Sequence, residues 1–339
     1  MAGRSKSTPR PGGGEARGDP LRPLLVDYFT RDGSTLLMRL LATSPQIAVG
    51  GGYPYEHKYF AYLFRWAHLI DRTDWPRKVW NSGAFATLKQ EEQMPLMGAP
   101  PWRRRELFEP GRGDDEMSDH AFRVVWEEFS RRASAQTRKR LKRPDADVRY
   151  YAEKHLSTWR VDLGRLPPVQ VLAVLRDPRD TYVSITSFTQ KRERAGRQRS
   201  MGRQPGESDE AWLTRHLARQ NERLQWIRKA LQKGTMPVVR YEDLVLHLKT
   251  EAHRLEGILD VELDPAAVAA DAEMRATHVS AATPEASVGR WRREMTPDLV
   301  KRFNDRLGAE LEALGFDTSV PEPGEARAAT VTEAGASGS

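Results

Sequence analysis

The sequence predicts an α/β fold in three layers, a central, mostly parallel sheet with helices on both faces. Three observations predict it: short apolar runs recur along the chain, stretches of helical spacing separate them, and the two alternate as strands joined by crossover helices do. The runs are Leu24 to Phe29, Val148 to Tyr151, Val169 to Leu175 and Pro237 to Tyr241. Each is too short for a helix and apolar enough for a strand buried on both faces. Helical spacing marks Ser34 to Leu41, Ala121 to Leu141 with Ser118 and Asp119 as cap candidates, and Asp209 to Leu231. A last helical pattern, Pro297 to Leu314, stops at Gly315. Between Trp75 and Gly113 periodicity fades among Pro, Gly and Arg, which predicts an irregular excursion from the sheet.

Composition narrows the chemistry. A chain of 339 residues without cysteine has no disulfides, thiolate metal sites or cysteine nucleophile. No apolar run approaches the roughly 20 residues of a membrane span. The leading residues, polar and rich in Gly, Pro and Arg, lack the apolar stretch of a secretory signal, so a cytoplasmic protein is expected. Residues 1–20 and 319–339 read as disordered tails around one folded domain, 21–318. A net charge of +7 suits an anionic ligand. The basic runs Arg131 to Arg143 and Lys191 to Arg203 contain no aromatic residue on which bases could stack. They read as solvated helix faces or a mobile loop. The eight histidines show no metal-ligand spacing.

Two turns carry the chemistry. The first strand runs into Phe29-Thr30-Arg31-Asp32-Gly33-Ser34-Thr35-Leu36-Leu37, after which the apolar spacing becomes helical. Gly33 permits close backbone approach, the amides of Ser34 and Thr35 at a helix N-terminus favour an anion, and Arg31 adds a charged fork. Taken alone, the loop equally fits an ordinary strand-to-helix turn with a Ser-Thr cap. No Gly-Lys-Ser/Thr closes it, which argues against an ATP or GTP hydrolase. The second turn follows the strand Val171 to Leu175 with Arg176-Asp177-Pro178-Arg179-Asp180. Pro178 suits a first helical turn and Asp177 its cap, while Arg176 and Ser184, two helical turns later, can converge on one phosphate at the carboxyl edge of the sheet.

The second turn, with its serine eight residues after Arg176, resembles the 3′-phosphate motif of the sulfotransferases, and the first resembles their 5′-phosphosulfate loop. Asp32 departs from the serine usual there, and it is expected to point away from the ligand or to pair with a neighbouring arginine. Two further segments strengthen the resemblance: Val239-Arg240-Tyr241-Glu242-Asp243-Leu244, and Ser287-Val288-Gly289-Arg290-Trp291-Arg292, in the family's order along the chain. The Arg-Lys-Gly triplet of cytosolic aryl and steroid sulfotransferases is replaced by Pro284-Glu285-Ala286, so the chain looks nearer the bacterial and Golgi-type branches.

The resemblance implies a P-loop NTPase-like fold, transfer of a sulfuryl group from 3′-phosphoadenosine-5′-phosphosulfate (PAPS) to a hydroxyl, and no metal. It places Arg31 and the amides of Gly33 to Thr35 on the 5′-phosphosulfate, and Arg176 and Ser184 on the 3′-phosphate. Thr30, Asp32, Leu36, Tyr241, Ser287, Arg290 and Trp291 complete the expected donor site. Lys154, expected to end the second strand, matches the family's Glu-Lys lysine near the transferring group. Glu56 is the expected base and His57 its competitor. The acceptor, a small-molecule or carbohydrate hydroxyl, is not legible, though the irregular 75–113 segment is expected to shape its pocket. A nucleotide-dependent kinase or other P-loop NTPase, and a basic nucleic-acid-binding protein, are the competing readings.

Overall fold

Strand β1 (Arg22–Tyr28) sits at the centre of the molecule, its Leu24, Leu25 and Val26 fully buried. Burial on both faces is what a near-continuous apolar run demands. The computed structural model describes residues 19–63, 114–156, 168–196, 203–204, 206–270 and 283–321. Within them β2 (Ile47–Val49), β3 (Tyr150–Leu156), β4 (Gln170–Leu175) and β5 (Val238–Arg240) complete a five-stranded sheet in the order β2-β3-β1-β4-β5, every pair parallel.

The alternation of the pleat sorts two cores. Leu24, Val26, Leu172, Val174 and Val239 pack against α1 (Ser34–Leu41) and α6 (Leu248–Leu259). On the other side Ala173 and Leu175 meet α3 (Pro178–Arg194), α4 (Asp209–Lys233) and α9 (Pro297–Ala313), and Leu25 and Tyr151 meet α2 (Asp114–Leu141). The result is the three-layer α/β/α arrangement the sequence predicts, P-loop-like in its parallel order. Short helices α5 (Tyr241–Leu246), α7 (Pro265–Ala270) and α8 (Trp291–Glu294) fill the connections.

The boundaries correct several expectations. Strand β3 runs on to Leu156 instead of stopping at Tyr151, so Lys154 lies inside a strand. Its polar letters, Glu153, Lys154 and His155, hid the strand, yet all three are buried. Strand β2 escaped notice because three residues carry too little periodicity. Helix α2 starts at Asp114, placing Ser118 and Asp119 within it. Arg131 and Arg132 on that helix are exposed and paired with Glu128 at 2.8 and 2.6 Å, the solvated face expected of that basic run. The 75–113 excursion and most of both tails lie outside the described residues.

Trp126 anchors the α2 layer. It is buried among Phe60, Phe122, Phe129 and Tyr151 and donates its indole N–H to the Leu21 carbonyl at 2.9 Å. Trp126→Ala is therefore expected to cost about 3–5 kcal/mol of stability. Urea unfolding monitored by circular dichroism checks it.

Candidate active site

The carboxyl ends of β1, β3, β4 and β5 open on one cleft of about 410 Å³, within the usual range for small ligands. Ligand sites of parallel α/β sheets lie at this edge. The loop after β1 is folded from inside. Asp32, 1% exposed, turns away from the cleft and accepts N–H bonds from Phe29 at 2.6 Å and Ser34 at 3.1 Å. Arg223 of α4 stands 3.6 Å from its Oδ2 and also bonds the Asp27 carboxylate at 3.2 Å. Two buried carboxylates thus share one guanidinium. Burial wins at Asp32 and raises its pKa from 3.8 to about 6, although Arg223 and the two amides oppose the shift. The Ser34 amide, expected to face the anion, is engaged by Asp32 instead.

With the loop pinned in this way, Arg31 and Gly33 adopt left-handed φ angles of 68° and 98°. A side chain at Gly33 would put its Cβ 2.1 Å from Cδ2 of Tyr241. The Arg31 guanidinium swings beneath α3, where Nε donates to Ser184 Oγ at 3.1 Å and the group lies 4.8 Å from the Phe188 ring centre. Arg31, expected on the 5′-phosphosulfate, therefore stands beside Ser184, the residue expected at the 3′-phosphate. Burial, and then the charge of Arg176, pull its pKa down from the ordinary guanidinium range to about 10. Arg176 donates to the Arg31 carbonyl and the Ser287 carbonyl, both at 2.8 Å, and stacks 4.2 Å from the Tyr241 ring centre.

The other end holds an ion pair. Lys154 Nζ donates to Glu56 Oε1 at 2.7 Å and to Thr35 Oγ1 and the Pro54 carbonyl at 2.8 Å. Burial lowers the lysine's pKa, and Glu56 opposes that shift. Glu153 fixes the segment carrying Glu56: its carboxylate accepts the Phe60 and Ala61 amides at 2.8 and 2.9 Å and so caps the helical turn that starts at Tyr59. Burial raises the pKa of Glu153 from 4.5 to about 7. His57 lines a separate cavity with Tyr59, Tyr62 and Phe129, which takes it out of this cleft.

Thr30, Arg31, Gly33, Ser34, Thr35, Leu36, Glu56, Lys154, Arg176, Ser184, Tyr241 and Ser287 all line the cleft, whereas Asp32, Arg290 and Trp291 do not. Arg290 pairs with Glu294 at 2.7 Å and bonds Ser187, and Trp291 is 2% exposed. Asp180 accepts the amides of Gly289 at 2.6 Å and Trp291 at 2.9 Å, and the Arg179 guanidinium lies 3.7 Å from the indole centre. Asp180 and Arg179 shape the 287–291 segment, which brings Ser287 to the cleft and to the Tyr241 hydroxyl at 2.7 Å. Tyr28, Tyr53, Phe188 and Arg192 line it too and were missed. Of these, Phe188 and Arg192 repeat at helical spacing after Ser184, a signal available in the sequence.

A parallel α/β fold whose strand ends gather cations around a cleft offers a site for an anionic ligand. The sequence matches the sulfotransferase family over residues 29–265, and the chain belongs to that family. No curated protein matches it. Among solved structures, a sulfotransferase of Mycobacterium avium, STF9, is 11% identical over 90% of this chain and 79% of its own, with a TM-score of 0.45. The sulfotransferase domain of the Synechococcus PCC 7002 olefin synthase is 16% identical over 92% and 99%, at 0.41. Retinol dehydratase, in complex with androsterone and inactive cofactor PAP, is 14% identical over 90% and 84%, at 0.38. Family membership rests on the sequence match, not on these likenesses. No described helix is long and apolar enough to cross a membrane.

Two outcomes follow from the loop geometry. Gly33→Ala drives a methyl group into Tyr241 at a backbone conformation unfavourable to it, and is expected to lower the urea midpoint, followed by circular dichroism. The raised pKa of Asp32 means that its contribution to stability is fully present below about pH 3.8 and lost as pH rises through about 6. Asp32→Asn is expected to flatten this part of the profile, measured as urea midpoints from acid to neutral pH.

Proposed function

We propose that the cleft binds PAPS and passes its sulfuryl group to an acceptor hydroxyl, with Glu56 as the base and Lys154 beside the bridging oxygen. The observation that carries this reading is the contrast between the two ends of one cleft. Arg31 and Arg176 meet Ser184 and Ser287 at one end, and a buried lysine holds a carboxylate at the other. An anion fits the first end on its own chemistry. Nε of Arg176 is buried without a hydrogen-bond partner among the described residues, and no carboxylate lines that end. A bound phosphate would offset the mutual repulsion of two guanidinium groups in a site of low polarity.

Sulfuryl transfer proceeds in line through a loose transition state, so positioning and charge neutralisation supply most of the rate. The acceptor oxygen bonds to sulfur as the bond from sulfur to the bridging oxygen breaks, and the acceptor proton passes to Glu56. Charge developing on the bridging oxygen draws Lys154, the only ammonium lining the cleft among the described residues. Thr35, which accepts from the same ammonium, steadies its approach from the helix N-terminus. The acceptor is taken to be a small molecule or carbohydrate carrying a hydroxyl. On this reading residues 21–318 act as one sulfotransferase domain.

Glu56→Gln is expected to lower kcat by about 10²–10⁴-fold, the usual range for a general base, with donor affinity unchanged. Turnover near wild type removes Glu56 from the role. Arg176→Ala is expected to weaken adenosine 3′,5′-bisphosphate by about 1.5–3 kcal/mol, as for other charge-assisted bonds. Unaltered affinity by isothermal titration would contradict the donor assignment.

A further inference from the structure

Helix α3 presents Ser184, Phe188 and Arg192 at successive four-residue steps, one stripe of a helix surface, and all three line the cleft. The Arg31 guanidinium bonds the first and lies over the second at 4.8 Å; the Arg192 guanidinium lies 6.0 Å from the centre of that same ring. Phe188 is thus a shared platform for two cations. Arg192 Nε is buried and has no hydrogen-bond partner among the described residues. Its neighbours Lys191 and Arg194 are exposed, whereas Arg192 looks inward. Across the cleft, the wall from Pro284 to Ser287 offers no cation.

A phosphate monoester carries roughly −1.5 to −2 charges near pH 7. Arg176 already spends two of its N–H groups on backbone carbonyls, and Arg31 spends one on Ser184. We propose that Arg192 supplies a further cation at the 3′-phosphate end of the cleft and makes the site select nucleotides that carry that phosphate. This rests on the donor reading above. A 5′-monophosphate, bound at the other end, gains nothing from Arg192, whereas a 3′-phosphate within reach of its planar fork gains charge-assisted bonds.

The test is calorimetric titration of adenosine 3′,5′-bisphosphate and of adenosine 5′-monophosphate into wild type, Arg192→Ala, Arg192→Gln and the exposed control Lys191→Ala. Both Arg192 variants are expected to lose about tenfold or more in affinity for the bisphosphate, the scale of a charge-assisted bond, with the monophosphate unaffected and the control like wild type. Equal losses for the two nucleotides, or none, would overturn the assignment of Arg192 while leaving the donor site standing. A wild-type protein that does not prefer the bisphosphate sinks the donor reading and this inference together. Matching ligand-free melting temperatures tie any loss to the site.

Discussion

One guanidinium decides the shape of the site. Arg223, 2% exposed on α4, reaches under the sheet edge to the Asp27 carboxylate, the Val174 carbonyl and Asp32. It joins the ends of the two central strands to the loop that follows the first. A charge buried so deeply is tolerated only with partners, and its partners are what the loop needs held. With Asp32 drawn inward, the backbone must turn left-handed at Arg31 and again at Gly33. That turn sends Arg31 toward Ser184, lets Tyr241 close over Gly33, and starts α1 where Thr35 meets Lys154.

The same division between residues that face the cleft and residues that place them recurs around its rim. Asp177 caps α3 by accepting the Arg179 amide at 2.9 Å, while its own amide donates to Glu242 of the segment after β5. Asp180 gathers the amides of Gly289 and Trp291, and Glu153 those of Phe60 and Ala61. Asp180 and Glu153 are buried carboxylates that accept backbone N–H groups from segments distant in sequence. Amide donors compensate the cost of burial, and burial still raises the pKa values of Asp180 and Glu153 to about 6 and 7. Irregular segments gain fixed positions in this way without regular secondary structure.

Much of this was legible in the sequence, and the rest was hidden for physical reasons. The strands β1 and β4 announce themselves because they are apolar on both faces. The helix Ser34–Leu41 was predicted to the residue, since its leucines repeat at helical spacing behind Gly33. Strand β3 was cut short because Glu153 and Lys154 serve the site and its supports, and a functional strand end looks polar. Asp32, expected from sequence to point away from the ligand or to pair with an arginine, does both, although sequence alone does not name the arginine. Its partner Arg223 lies some way along the chain in a helix that carries three further arginines, and spacing alone does not single it out. Arg290 and Trp291 were assigned to the ligand because a motif records that residues matter together, not which of them face the cleft.

The two ends of the cleft also differ in what each can surrender. At the arginine end nothing has to break for an anion to enter, since Arg176 Nε is unspent among the described residues and the carbonyl bonds of that guanidinium can persist. At the lysine end every contact is already made, so the Lys154 bond to Glu56 must loosen before either group can act. On the donor reading this sets an order. Anchoring a nucleotide at the arginine end brings its bridging oxygen to Lys154, which gains a stronger partner than a half-exposed carboxylate as negative charge develops on that oxygen. Glu56 is released to accept a proton only once the donor is in place, and the low dielectric that makes the exchange possible is supplied by burial of Lys154 at 2% exposure.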